Sequence, residues 1–302
     1  MKKTANRLNY KQTILSAFDE DLKRLAGRIG KDRSPSTWRS MLQSRSYVEA
    51  FLRNHLRQDD IPLEQMAPQL IHDFSIYLST ERGLMSGTIW LACQQLKGVV
   101  TRAHQRGMIA WNPFAGFRIA KNTRPREYLS EDELSRLIKH DFTTDTLAFT
   151  RDVFVFAAFT GLSFIDMKEL RRSDIVEIGD GTWIFSRRHK TKIPYQVKML
   201  KIPLGILQKY DQAGENVFGD MEYRTMAKRI HRVMREVGIR KRISFHCARH
   251  TFAVMAINNG MPIESLSRIL GHTKISTTQI YAKITTLKLD KDMTRLAESL
   301  NF

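Results

Sequence analysis

Residues 244–281 read SFHCARHTFAVMAINNGMPIESLSRILGHTKISTTQIY. His246 and Arg249 stand three positions apart, a spacing that puts both on one face of a helix, where they can address the same anion. Leu270-Gly271-His272 follows a run with Ile263, Leu266, Ile269 and Leu270 at helical spacing, so Gly271 can end that helix. Tyr281 closes the stretch. Singly, each feature has an ordinary explanation: a solvated surface pair, a helix stop, a core tyrosine with a satisfied hydroxyl. Together, and in this order, they point to a site.

Upstream, Thr182-Trp183-Ile184-Phe185 and Gln196-Val197-Lys198-Met199-Leu200 alternate around the turn-prone Lys190-Thr191-Lys192-Ile193-Pro194, which predicts a strand, a turn and a strand. Before them lies a buried apolar helix, Val153 to Phe159, and before that Ser130 with Glu133, a capping-box pattern. Asn112-Pro113-Phe114-Ala115-Gly116 and the basic stretch Arg118 to Arg126 mix Pro, Gly and charge without periodicity, which predicts a linker. It reads as a solvated connector or as a strip that follows a polyanion backbone.

The first ~110 residues predict four helices: one from about residue 11 to 29, with Ile14 to Ile29 at helical spacing and Gly30 as its stop; one capped by Ser36 or Thr37 and carrying Trp38 to Leu52; one through Leu70 to Leu78, ending near Gly83; and one from Ser86 or Gly87 to about Gly107. The expected architecture is mainly α with a small β-hairpin or sheet. A helical domain spans 1–112, a basic linker 113–127 and an α+β domain 128–302.

The 302 residues are 42% apolar and 26% charged, an ordinary globular composition with room for two cores. The formal charge is +18, spread over residues 1–127 (+10) and 128–302 (+8) rather than held in a tail. A polyanion is therefore the first partner to consider, because neutralising phosphates releases condensed counterions. Cys93 and Cys247 resemble neither a disulfide framework nor a zinc site, which suits a reducing, cytoplasmic setting. The N-terminus has no apolar stretch of a signal peptide, and no window is long enough to span a membrane.

On the ordered residues Lys190, His246, Arg249, His272 and Tyr281 the chain resembles the tyrosine recombinase (phage integrase) family over almost its whole length. Lys190-Thr191 matches the family's hairpin lysine, with Lys192 as the rival, and Lys201-Ile202-Pro203-Leu204 its downstream segment. The resemblance implies a helical core-binding domain, a linker and an α+β tyrosine-recombinase catalytic domain. It implies a site-specific recombinase that integrates, excises or inverts DNA through a 3′-phosphotyrosyl intermediate. Tyr281 would be the nucleophile, Arg249 a phosphate clamp, His246 an acid–base or positioning group, His272 a phosphate donor, and Lys190 the proton source for the leaving 5′-hydroxyl. No cofactor or metal is implied. The implied partners are double-stranded DNA carrying specific recombination sites and further copies of the chain, a homo-tetramer on DNA. The apolar stripe Leu289, Met293, Leu296, Ala297 and Leu300 would then dock as a C-terminal helix exchanged between protomers; packing on its own domain is the alternative.

One departure stands out. The family normally has an arginine just after a Thr-Gly-Leu-like turn, yet Thr160-Gly161-Leu162 is followed by Ser163. Ser163 with Asp166 makes a helix cap and supplies no positive charge. Losing one such donor costs about 2.7–4 kcal/mol in the transition state, so another cation is expected to substitute. Arg151, at the entrance of the apolar helix where the macrodipole disfavours a cation, is the leading candidate; Lys168, Arg171 and Arg172 are alternatives. The missing arginine also admits a DNA-binding protein that no longer cuts, and the tyrosine chemistry admits a type IB topoisomerase.

Overall fold

The computed structural model describes residues 12–121, 127–210, 214–281 and 286–300. The chain divides into two compact units, residues 1–124 and 125–302. In the first, α1 (Ile14–Ala26) begins where the Thr13 hydroxyl accepts the Ser16 N–H at 3.3 Å and the Ser16 hydroxyl accepts the Thr13 N–H at 2.9 Å. α2 (Pro35–Asn54) starts on a proline, whose fixed φ and missing N–H suit a first turn, so the expected caps Ser36 and Thr37 lie just inside it. α3 (Leu70–Thr80) and α4 (Ser86–Gln105) complete the bundle.

The predicted apolar positions meet in one core. Phe51 lies 5.4 Å, centroid to centroid, from both Phe74 and Tyr77, and Phe18, Leu96 and Val100 are buried beside them. Each such side chain contributes about 1.5–3 kcal/mol by leaving water. Asp21 is buried too. Arg102 Nε of α4 and Arg106 Nη2, from the residue that caps that helix, donate to the two Asp21 oxygens at 2.7 and 2.9 Å, which ties α4 to α1. Part of the interval expected as a linker is integral to this unit: Phe114 and Phe117 lie in its core, and Lys97 Nζ donates to the Ala115 and Phe117 carbonyls at 3.0 and 2.7 Å. Two buried aromatic rings outweigh the Pro, Gly and charge around them. Arg124 and Arg126, from the same basic stretch, lie outside the described residues.

The second unit runs α5 (Glu131–Lys139), α6 (Asp145–Thr160), α7 (Phe164–Lys168), β1 (Ile175–Ile178), β2 (Gly181–Arg187), β3 (Pro194–Lys198), α8 (Lys201–Lys209), α9 (Tyr223–Glu236), α10 (Phe245–Asn258), α11 (Ile263–Ile269) and α12 (Thr286–Leu300). The Ser130–Glu133 capping box forms as expected, its two reciprocal bonds 3.1 and 2.7 Å long. Val153 to Ala158 are buried on every side of α6, and a helix apolar all round belongs in the middle. Around it pack α5, α8, α9 and α10.

The sheet is antiparallel in the order β1-β2-β3, with Ile175 opposite Ile184 and Ile184 opposite Val197. The expected hairpin is β2–β3. The third strand, β1, escapes an alternation test because its apolar Val176 and Ile178 are exposed. Among the described residues no helix is long and apolar enough to cross a membrane. The free cysteines Cys93 and Cys247 are both buried.

Candidate active site

α10 begins at Ser244, whose backbone N–H is accepted by Cys247 Sγ at 3.3 Å. The helix is apolar on most faces, and Arg249 enters the interior with Phe245, Ala248 and Phe252, keeping 7% of its surface exposed. A guanidinium in that position must find acceptors. Its Nη1 donates to the Gly161 carbonyl at 2.7 Å, and its Nη2 to the Leu270 carbonyl and, at 3.0 Å, to His272 Nε2. It also hydrogen-bonds the Tyr281 phenol.

Gly161 and Leu270 are the residues that cap the C-terminal ends of α6 and α11. Their carbonyls carry the negative end of each helix dipole, so the cation is held by two helix ends. Among the described residues no carboxylate bonds it, which leaves its charge for an incoming anion. Burial, then the charge of Arg188, presses its pKa down to about 10, and it stays cationic at neutral pH.

His272 follows Gly271, the residue at φ +59° that turns the chain out of α11. An arginine can only donate, so His272 Nε2 presents its lone pair and Nδ1 carries the hydrogen, donated to Thr278 Oγ1 at 2.8 Å. Burial first, then the charges of Arg249, Arg188 and His246, push the imidazole down to about 4. A lowered histidine pKa means that the unfolded chain takes up the proton first as pH falls. The linked stability is therefore intact above about pH 6.5 and lost as pH drops from there through the folded value. Ring-nitrogen NMR shifts of the free protein should show His272 neutral at pH 5.5; titration near 6.5 would contradict this placement. An anion bound against the ring should move the transition upward.

Tyr281 lies half-buried in a single 3-10 turn, Gln279–Tyr281. Its ring is nearly parallel to that of His272 at 6.5 Å and 5.0 Å from that of His250. His246, exposed at the start of α10, meets His250 edge to face at 4.6 Å. Thus Arg249, His272 and Tyr281 converge, with His246 joined to them through His250. Lys190 is exposed in the β2–β3 turn, as is its rival Lys192, and the fold brings neither into this contact network.

Arg151 is not gathered there either. Its Nε donates to Asp152 at 2.5 Å, and its Nη1 to the carbonyls of Leu137, Ile138 and His140 at 3.3, 2.8 and 3.1 Å. It closes the open C-terminal end of α5, a task that the helix-dipole argument from sequence could not anticipate because the acceptors belong to another helix. The alternatives are engaged elsewhere too: Lys168 with Asp220 at 2.8 Å, Arg171 with Glu215 at 2.9 Å, and Arg172 with the Gly214 and Tyr210 carbonyls. Ser163 caps α7 as expected, its hydroxyl donating to Asp166 Oδ2 at 2.6 Å.

Three participants escaped the sequence reading: His250, Thr278 and above all Arg188. The last sits in the run Arg187-Arg188-His189-Lys190, which looks like a solvated hairpin tip, yet its side chain is 6% exposed and paired with Asp166 at 2.6 Å. Strand alternation held the signal: 184, 186 and 188 share one face, and Ile184 is fully buried. Burial alone would raise the Asp166 pKa. Arg188's charge, the His189 N–H and the Ser163 hydroxyl outweigh that and hold the carboxyl below its usual range.

Similarity to known proteins runs along most of the chain. It is 24% identical over 298 residues to the tyrosine recombinase XerC of Oceanobacillus iheyensis, covering 92% of this chain and 93% of the relative. Over a shorter stretch of 57 residues, 19% of either chain, it is 46% identical to the tyrosine recombinase XerD of Listeria monocytogenes. Among solved structures, the Tn1549 transposon integrase in complex with transposon right end DNA superposes with a TM-score of 0.75 at 18% identity, covering 95% of this chain and 100% of that one. A lambda integrase dimer bound to a COC' core site gives 0.72 at 20% identity, with 91% and 97% covered. These likenesses show the fold: mostly helical, with a small antiparallel sheet. The phage integrase SAM-like domain profile matches residues 13–122, and the phage integrase family profile matches residues 127–287, an interval that holds Arg188, His246, Arg249, His272 and Tyr281; the chain belongs to the phage integrase family.

Proposed function

We propose that this protein is a site-specific DNA recombinase of the tyrosine class. The observation that carries it is the phenol of Tyr281 hydrogen-bonded to a buried guanidinium whose charge no carboxylate among the described residues bonds. A nucleophile held against an unneutralised cation suits attack on a phosphodiester. The Tyr281 phenol passes its proton to His246 as its oxygen bonds to phosphorus, the bond to the 5′ oxygen breaks, and the departing 5′ oxygen takes a proton from Lys190. A 5′-hydroxyl from a second duplex then reverses the step and releases tyrosine. Arg249 stabilises the charge that grows on the non-bridging oxygens, His272 joins it as a donor once the bound phosphate has drawn a proton onto Nε2, and His246 assists in proton transfer or positioning. For Lys190 to act, the exposed β2–β3 turn must bend onto the DNA. The assignment treats the chain as a variant in which serine holds the first arginine position. The helical unit, expected over 1–112, serves as the core-binding domain and the remainder from 128 as the catalytic domain, inside the cell where the DNA is.

The test uses nicked duplexes taken from the DNA flanking the gene. Wild-type protein should become attached to them in an SDS-resistant, Tyr281-dependent adduct. No adduct on any duplex that it binds would favour a non-cutting DNA-binding protein. Relaxed circles without recombinants would favour a topoisomerase.

The homo-tetramer with exchanged C-terminal helices belongs to the same reading. Its support is α12, where Leu289, Met293, Leu296 and Leu300 are 51, 62, 48 and 50% exposed, an apolar stripe left uncovered within one chain. Deleting residues 289–302 should preserve binding to a single duplex while eliminating complexes that hold two. Two-duplex complexes of normal yield, weighed by mass photometry, would refute the exchange.

A further inference from the structure

Ser163 and Arg188 meet on one carboxylate oxygen. The serine hydroxyl and Arg188 Nη1 both donate to Asp166 Oδ2 at 2.6 Å, while the His189 N–H binds Oδ1 at 2.9 Å. Arg188 thus approaches the position of the missing arginine from the far side of that residue's own helix cap. Its other end is anchored beside Arg249. Arg188 Nη2 donates to the Ile269 carbonyl at 3.1 Å and Arg249 Nη2 to the next carbonyl, Leu270, so consecutive groups at the end of α11 receive the two guanidiniums. We propose that Arg188, delivered by the end of β2, is the second phosphate-binding guanidinium of this enzyme, replacing the cation that Ser163 does not supply; the proposal rests on the recombinase reading.

Three further observations fit that role. The stem of Arg188 crosses Gly271, where a Cβ would lie 2.8 Å from Arg188 Cγ and 2.9 Å from Nε. The glycine of Leu-Gly-His therefore serves this arginine as well as the turn. The ring of Tyr195 on β3 lies 4.4 Å from the guanidinium carbon and flattens it into one orientation. Arg188 Nε is buried with no partner among the described residues. Native proteins seldom leave such a donor unpaired, and a phosphate oxygen is the acceptor that a clamp would bring. A purely structural ion pair is a weak alternative, because buried pairs seldom stabilise a fold more than apolar residues of similar size. The charge is also felt across the site, depressing both Arg249 and His272.

The measurement is the single-turnover rate of covalent adduct formation by wild type, Arg188→Ala, Arg188→Lys and Ser163→Arg/Arg188→Ala, with DNA affinity and melting temperature recorded for each. Arg188→Ala should cleave about a hundred- to a thousandfold more slowly with affinity nearly unchanged. Arg188→Lys keeps the charge but loses the planar fork and should fall between it and wild type. Returning arginine to position 163 should recover at least about tenfold. A duplex with a methylphosphonate at the scissile position lacks the charge that Arg188 neutralises, so there the alanine deficit should shrink; a deficit of equal size on both duplexes would mean a merely structural role and overturn the proposal. Cleavage by Arg188→Ala within about threefold of wild type would overturn it too, with Arg188→Lys deciding in the same way should the alanine variant not fold. If wild type itself forms no Tyr281-dependent adduct, the recombinase reading has failed instead.

Discussion

Tyr281→Phe will bind its DNA sites normally and form no covalent adduct, a loss of at least about 10⁴-fold in cleavage. The substitution removes one oxygen and leaves the ring, with its neighbours His250 and His272, in place. Arg249 loses one acceptor but keeps the Gly161 and Leu270 carbonyls and His272 Nε2. The fold should therefore change by no more than about 1–1.5 kcal/mol, the net worth of one hydrogen bond. Chemistry and stability separate cleanly in this variant, which makes it the control for every other. Adducts are read by denaturing electrophoresis with labelled duplex. An adduct that survives would assign the nucleophile elsewhere.

Arg249→Ala should abolish cleavage to nearly the same degree, about a thousandfold or more, because it removes a fork aimed at the place where charge develops. Two stability effects oppose each other. Freed carbonyls at Gly161 and Leu270 would cost about 1–3 kcal/mol each if left dry, whereas removing a buried cation that no carboxylate bonds relieves its desolvation. Tyr281 and His272 at the mouth are only half-buried, so water can reach the vacated space and satisfy the carbonyls. The two effects nearly cancel, and melting should move by no more than about 1–2 kcal/mol in free-energy terms. Arg249→Lys retains charge but cannot span Gly161, Leu270 and His272 from one ammonium, and should cleave about a hundredfold more slowly than wild type. Wild-type cleavage by either variant would remove Arg249 from the phosphate site. The lowered His272 pKa gives a second readout: with Arg249 gone, one of the charges holding it down is gone, and its titration should move up from about 4.

Much of this molecule was legible before any coordinates. Apolar periodicity gave the helical N-terminal bundle and the central position of α6, since both depend on which face of a helix must leave water. Capping chemistry at Ser130 and Ser163 is local and appears as predicted. The types and order of His246, Arg249, His272 and Tyr281 were also local information, and the fold gathers Arg249, His272 and Tyr281, with His246 joined through His250. The linker was harder to read. Two rings in a basic, Gly- and Pro-containing stretch belong to the first core, and only packing partners reveal that.

The cation that accompanies Arg249 shows where sequence reasoning stopped. On the resemblance to the family, Ser163 stands where an arginine is expected, which called for a cation from elsewhere, and Tyr281 with its partners was the site expected to need it. Arg151 and Arg188 were then two arginines among many. Tertiary structure turned Arg151 towards the end of α5 and folded β2 so that Arg188 reached Asp166 and Ile269. The physical reason is that a charge finds its place through partners distant in the chain: a carbonyl at one helix end, a carboxylate at the start of another. Spacing along the sequence specifies which side chains share a helix face or strand face, and the meeting of separate elements decides which of them share an anion.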